Sequence, residues 1–401
     1  MNVFSPIQLA GLVLRNRVIK TATYEGMTPN GLPSAALIEH HRAIAAGGVA
    51  MTTVAYCSVS PDGRTFSEQM YIRPEVIPGL RHLTDAVHEA GGAVSLQLAH
   101  CGYFTKNETL TTRAPLAPSK IFNPYGLMKG LFYSKAMERH EMTQVAQEYA
   151  TAATMAQDAG FDAIELHLGH GYLLSQFLSP WSNRRRDEYG GSLANRLRFP
   201  LEVLDEIRAK VGSSFPILCK TNLHDGFVGG SDEQDAIGIA SALEARGADA
   251  LVLSGGFVSR SAFYLMRGGL PLRGMLQIEK NWLQKFGMAL FSPWLVKQYP
   301  FDEVFFLAQA KQVREAVTMP LVLLGGIVSL SNMEQAMQAG FDLVAVGRPL
   351  LHNPQFINQL RAGQITRSAC NQCNQCVVEM DRGGVQCVLH PVRAAKTSRT
   401  I

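Results

Sequence analysis

"AIELHLGHGYLLSQFLSP" occupies residues 163–180, and its reading decides the fold. Over its first five residues the polarity alternates. Ala163, Glu165 and His167 share one side of an extended chain, and Ile164 and Leu166 share the other. Gly169 ends the run, and His170 and Tyr172 follow at once. A core tolerates such groups only where each finds a partner. A strand that carries Glu and His towards its end, then a loop with a second ring donor and a phenol, delivers polar groups to one edge of a sheet. Two other runs repeat the pattern. "VSLQLAH" (94–100) puts Ser95, Gln97 and Ala99 on one side, and "ILCKTN" (217–222) does the same for Leu218, Lys220 and Asn222. Gln97, His167 and Lys220 are therefore expected to converge on one rim.

Working outward, apolar strands alternate with amphipathic helices. Strands are predicted at 17–24, 50–56, 94–100, 162–168, 216–222, 250–253, 320–324 and 343–347. Helical patterns include 34–46, 75–90, 143–159, 195–211, 232–245 and 331–339. Several stop at "AAGG", "HEAGG" or "AGFD", as glycine C-caps require. Eight strands separated by helices predict a (β/α)8 barrel, an α/β fold whose sites lie at the C-terminal ends of its strands. A doubly wound sheet is the competing architecture, weakened by the inward polar side chains. Two long βα-loops stand out, 101–142 and 256–301. The second carries Phe257, Phe263, Tyr264, Trp282, Phe286 and Trp294, readable as a packed lid, an oligomer contact or a pocket wall.

The chain has 401 residues, 47% hydrophobic and 17% charged, which is material for a globular core. A net charge of +4 with no long basic run does not point to nucleic acid. The N-terminus lacks a secretory pattern, and no apolar run approaches the roughly 18 residues of a membrane span. A cytoplasmic protein with no membrane contact is expected. Seven cysteines, an odd count, do not suggest a disulfide framework.

"LLGGI" (323–327) and "VAVGRP" (344–349) end the last two strands. Gly325, Gly326 and Gly347 let backbone N–H groups approach an anion, and Arg348 adds charge. The plainer reading is two glycine turns. No G-x-G-x-x-G opens a dinucleotide-binding unit.

The block "GFDAIELHLGHGYLLSQFLSPWSNRRRDEYGGSLANRLRFPLEVL" resembles the signature of the old yellow enzyme family, FMN-dependent NADH:flavin oxidoreductases that act as ene-reductases. "SLQLAHCG", "GLVLRNRVIKTATYEG" and "LLGGI…VAVGRPLLHNP" resemble further elements of it, so the likeness runs to about Pro354. The resemblance implies FMN as cofactor and NAD(P)H as transient hydride donor. It also implies ping-pong reduction of an activated alkene, an enone-like small molecule. His167 and His170 would hold the oxygen of the electron-withdrawing group, and Tyr172 would protonate the neighbouring carbon. Gln97 would bind the flavin pyrimidine edge, with Ala22 and Ala55 beside the ring. Gly325, Gly326, Gly347 and Arg348 would hold the phosphate. Two departures matter. Lys220 stands where much of the family has arginine, a point charge without a bidentate fork. Where the family usually offers a small hydroxyl or thiol to the flavin, the sequence places Tyr24, with Thr23 adjacent, and parity does not choose between them.

The tail, "CNQCNQCVVEMDRGGVQCVLHP", spaces Cys370, Cys373, Cys376 and Cys387 as C-x2-C-x2-C-x10-C. Four such thiolates hold an iron–sulfur cluster or zinc. The segment is similar to the [4Fe–4S] region of 2,4-dienoyl-CoA reductase and trimethylamine dehydrogenase, where the later spacings are slightly longer. Those proteins continue into a further flavin and nicotinamide domain, whereas this sequence stops at Ile401. The expected organisation is an FMN-binding barrel over 1–360 and a cysteine-rich extension over 361–401. Two other functions remain open: an amine-type dehydrogenase passing electrons through the tail to a partner protein, and a metal-dependent lyase or isomerase using Glu165, His167 and His170.

Overall fold

The computed structural model describes residues 2–389. Its described strands are β1 (Ile7–Leu9), β2 (Leu12–Leu14), β3 (Val18–Lys20), β4 (Met51–Ser58), β5 (Ala93–Ala99), β6 (Leu116–Ala117), β7 (Lys135–Ala136), β8 (Ala163–Leu168), β9 (Ile217–Asn222), β10 (Ala250–Ser254), β11 (Leu321–Leu324) and β12 (Leu343–Val346). The larger helices up to the sixth barrel strand are α1 (Ala35–Ala46), α2 (Ile77–Glu89), α3 (Arg139–Asp158), α4 (Leu173–Leu178), α5 (Leu193–Val211) and α6 (Glu233–Ala245). After it come α7 (Val258–Ser261), α8 (Leu272–Ile278), α9 (Trp282–Leu295), α10 (Leu307–Ala316), α11 (Leu330–Gln338), α12 (Arg348–His352), α13 (Phe356–Arg361) and α14 (Gln375–Glu379).

Strands β3, β4, β5, β8, β9, β10, β11 and β12 close a barrel in that order. Every pairing is parallel, and spatial neighbours are sequence neighbours, as short right-handed crossovers dictate. This is the (β/α)8 barrel that the alternation predicts. The first strand is shorter than its predicted 17–24, because ladder pairing covers only Val18–Lys20.

Side-chain parity sorts as read. Ile19, Met51, Ala163, Leu218, Val252, Val322 and Leu343 pack inside the barrel, whereas Leu96, Leu98, Ile164 and Leu166 pack outward with the helices. The register sets Gln97 beside Glu165, and His167 beside Lys220. Polar residues thus occupy the upper inner layer and aliphatic ones the lower. The β1–β2 hairpin, which the strand pattern does not reveal, places Leu9 and Leu14 in the same inner cluster and closes the lower end.

Helix starts follow their caps. Ser34, Asp232 and Ser329 accept backbone N–H bonds from the first turns of α1, α6 and α11. Helix α3 begins at Arg139 and not at 143, because Glu138 and Glu141 form a reciprocal capping box. The 256–301 loop contains three helices, and 101–142 contains the β6–β7 pair.

The cysteine segment folds back on the barrel mouth. Asn374 Nδ2 donates to the carbonyls of Met266 (2.7 Å) and Gly269 (2.9 Å). Val385 N–H donates to Glu25 O at 2.6 Å. Of the expected 361–401 extension, residues from 390 onward lie outside the described ones. No described helix is long and apolar enough to cross a membrane.

Candidate active site

A cavity of about 330 Å³ opens at the C-terminal ends of the strands, within the usual size of small-molecule sites. Ala22, Thr23, Tyr24, Ala55, Gln97, His167, His170, Tyr172, Lys220, Gly325, Gly326, Gly347 and Arg348 all line it. These residues come from seven barrel strands and the loops after them, so the strand order gathers what the sequence scatters.

The β8 loop supplies the three rings. His167 ends its strand facing inward, and its Nδ1 accepts from Gly169 N–H at 3.4 Å. The neutral ring then carries its proton on Nε2. His170 sits at φ +60°, held by its N–H to Asn222 Oδ1 at 3.0 Å. Its Nε2 lies 2.7 Å from Ser254 Oγ. The two imidazoles meet edge to face at 4.8 Å, and Tyr172 lies 4.8 Å from His167 and 5.0 Å from Tyr56. Burial holds His167 well below the ordinary imidazole range, helped by His170 and Lys220. Burial, then Lys220, brings His170 to about 3. Burial pushes the Tyr172 phenol up, with Cys101 adding to it. At neutral pH the loop therefore presents two uncharged imidazoles and one protonated phenol.

Beneath them runs a buried polar chain. Glu165 Oε1 accepts from Lys220 Nζ and from Gln97 Nε2, both at 2.7 Å. Lys220 Nζ also donates to Thr21 Oγ1 at 3.1 Å. This pairing occupies Glu165, so the Glu165, His167 and His170 metal set is not formed. Among the described residues, the side chains close enough to share an ion are Glu25, His40 and His41. There Lys20 Nζ already lies 2.6 Å from Glu25 Oε1, so a cation is in place and the group reads as an ion-pair network.

Thr23 and Tyr24 both line the cavity but differ in their partners. Tyr24 packs its ring edge-on to Phe66 at 5.5 Å and bonds Thr28 through its hydroxyl. Thr23 Oγ1 is buried without any partner and lines the cavity. A buried orphan hydroxyl facing a cavity is the mark of a missing polar ligand, which fits the edge of a flavin ring.

Gly325 (φ +102°) and Gly326 (φ +75°) lie at the other end. A Cβ on Gly326 would sit 2.6 Å from Asp302 O and Val304 N, so the chain there must be glycine. Arg348 lines the cavity but turns its Nη1 to Arg267 O (2.8 Å) and Asn374 Oδ1 (2.6 Å). It also walls a second, smaller pocket with Cys370, Cys373, Cys376 and Cys387. Burial raises the Cys370 thiol, and raises that of Cys376 to about 11, while Arg348 pulls both down. Thiolate ligands of one zinc ion sit about 3.8 Å apart. No three of these four thiols lie within mutual reach of a single ion.

The sequence reading missed several contributors. Asn374 and Met380 of the tail line the cavity and no local pattern marks them, and Cys376, read only as one of the four spaced thiols, lines it too. Ser254 shares strand parity with the inward Val252, which was the available signal. Of the loop aromatics, Phe257, Phe263 and Tyr264 are buried, whereas Trp282 and Phe286 are 72% and 63% exposed. The Trp294 side chain lies outside the described residues.

Comparison with known proteins agrees with this geometry. The family model described as "NADH:flavin oxidoreductase / NADH oxidase family" matches residues 2–259, and one for dihydrouridine synthases matches 304–397. A 4,4'-dithiodibutanoate disulfide reductase from Rhodococcus erythropolis is 41% identical over 97% of this chain and 95% of its own length. A 2-naphthoyl-CoA reductase structure superposes with a TM-score of 0.81 at 23% identity, covering 97% of this chain and 57% of that one. Histamine dehydrogenase from Rhizobium sp. 4-9 gives 0.80 at 23% identity, covering 97% and 52%. The chain thus spans about half the length of both structures.

Proposed function

The chain belongs to the NADH:flavin oxidoreductase / NADH oxidase family, and on that premise we propose that it reduces the C=C bond of an activated alkene with hydride from NAD(P)H. The observation that carries the reading is the shared cavity. It joins an orphan Thr23 hydroxyl, two uncharged imidazoles and a protonated phenol. FMN, when bound, supplies the transfer of hydride from nicotinamide to substrate.

The chain's own residues do the rest. His167 and His170 hold the oxygen of the electron-withdrawing group, and as neutral donors they stabilise the charge that grows on it. Ser254 keeps the His170 ring oriented. Tyr172 gives its proton to the carbon next to that group. Thr23, Gln97 and Lys220 would hold the flavin ring, with Ala22, Tyr24 and Ala55 beside it. Gln97 gives one Nε2 hydrogen to Glu165, which leaves its second N–H and its Oε1 for the flavin edge. Gly325, Gly326 and Gly347 amides with Arg348 would hold the phosphate. Cys370, Cys373, Cys376 and Cys387 would hold a [4Fe–4S] cluster, an electron store beside Arg348. Anaerobic visible spectra of the purified chain, before and after NADH and then cyclohexenone, test the proposal. Colourless protein that takes up no FMN overturns it.

A second reading keeps the site and changes the electrophile to a disulfide, in which one hydride and one proton yield two thiols. The 41% identical relative favours it. Reduced protein that is reoxidised by 4,4'-dithiodibutanoate and not by cyclohexenone selects this reading.

A further inference from the structure

We propose that the barrel's C-terminal face docks on an anionic lipid surface, with α9 lying in the interface. Helix α9 exposes Trp282 (72%), Phe286 (63%) and Leu290 (52%). Their spacing of four residues puts them on one stripe. A contiguous apolar patch of this size on a soluble protein is often functional. The flap after β5 adds exposed Met128 (50%) and Phe132 (51%). Both segments leave the C-terminal ends of barrel strands, the end that holds the cavity. Of the large apolar residues exposed on the described surface, Val13 alone lies at the hairpin end.

Charge selects the occupant. Arg273 on α8, Lys285 on α9, and Lys280 and Lys297 just before and after α9 are exposed, and none of them is ion-paired among the described residues. Between residues 273 and 297 the sole carboxylate is Glu279, and its Oε1 already accepts from Asn281 N–H at 2.7 Å. An apolar stripe flanked along the chain by cations and almost no carboxylate is what a helix in the headgroup layer of an anionic bilayer needs. A second copy of the chain fits less well. The three stripe residues expose roughly 450 Å², about half of what each partner buries in a stable interface. A two-fold contact would also bring two sets of these cations into one interface.

The docked face bears on the site. Leu265 and Met266, before α9, and Phe301 and Phe305, after it, line the cavity. A lipid-dissolved electrophile would meet the mouth directly. The inference rests on exposure and charge, not on the reading of the substrate.

Co-sedimentation of the full chain with vesicles tests it. Binding to phosphatidylglycerol/phosphatidylcholine vesicles is expected at low salt. It should fall at least tenfold on pure phosphatidylcholine, and severalfold at high salt. The triple variant Trp282→Ser/Phe286→Ser/Leu290→Ser and the variant Lys280→Glu/Lys285→Glu/Lys297→Glu should each lose at least tenfold in bound fraction. Both should keep the wild-type circular dichroism and the vesicle-free rate of NADH oxidation. Absence of wild-type binding, or equal binding by these variants, overturns the proposal. So does a stripe variant that changes the mass measured by light scattering while vesicle binding is absent, which would assign the face to a second copy.

Discussion

Tyr172 shows how much chemistry one burial decides. Its phenol is pushed above its ordinary range by desolvation, so it holds its proton across the physiological range and acts as a donor, never as a base. Tyr172→Phe removes that proton and leaves the ring packing on Tyr56 and His167 intact. We expect it to slow reoxidation by an alkene by about 10²–10⁴-fold and to leave flavin reduction by NAD(P)H within about twofold, as read by anaerobic stopped flow. Equal loss in both half-reactions rejects the assigned role. Ser254 acts one step removed. Ser254→Ala frees His170 Nε2, and we expect a weaker hold on the substrate oxygen of about 1 kcal/mol. That loss should appear in KM more than in kcat, and Ser254→Thr should restore it. At this scale the sequence was partly legible. His167 and Gln97 followed from strand parity. Thr23 and Tyr24 did not, because ladder pairing ends at Lys20 and alternation loses its meaning beyond it. Arg348 was legible as a cation at a strand end. Its turn towards Asn374 depends on a contact 26 residues away.

At the scale of elements, period and caps carried the reading. The eight barrel strands are apolar runs bounded by glycine or by helix caps, and for all but the first their predicted ends lie close to the observed ones. The β1–β2 hairpin escaped because three-residue strands are too short to show a period. Its role becomes visible only when Leu9 and Leu14 meet the barrel's inner layer. That role is a plug, and it is testable. Leu14 is 1% exposed, so Leu14→Ala leaves a cavity under the barrel floor and should cost about 2–5 kcal/mol in chemical denaturation. The cavity lies at the far end from the site, so the rate of NADH oxidation at low temperature should hardly change. A destabilisation below about 1 kcal/mol means the hairpin merely rests on the floor. The tail is the opposite case. Its cysteine spacing was plain in the sequence, but its lining of the barrel cavity was not, since Asn374 reaches carbonyls more than a hundred residues earlier.

The whole molecule buries ionisable groups both within the barrel and between the barrel and its helices, and this sets its response to acid. His41, His100 and His167 lie buried and His170 is partly buried, and in all four desolvation is the main cause of the lowered pKa. His100 falls from 6.5 to about 4 and His170 to about 3. Above pH 6.5 these rings are neutral in both folded and unfolded chains and add nothing to the pH dependence. As pH drops below 6.5, the unfolded chain binds protons that the folded chain refuses, so stability falls with falling pH. Four such rings give a slope of at most about 5 kcal/mol per pH unit. Glu25 adds to the loss further down, because Lys20 and His41 hold its carboxylate below the ordinary range against the cost of burial. Buried Asp225, whose pKa is raised by desolvation, works the other way in the same region and softens the slope. Thermal unfolding followed from pH 8 to pH 4.5 should therefore show a flat upper arm and a steep fall that begins near pH 6.5. His170→Asn removes one refused proton and keeps a polar side chain beside Ser254. It should cut the slope of that fall by about a quarter and leave the flat arm in place. If the fall begins only below pH 5, or if His170→Asn leaves its slope unchanged, the buried imidazoles do not govern acid stability and the carboxylates do.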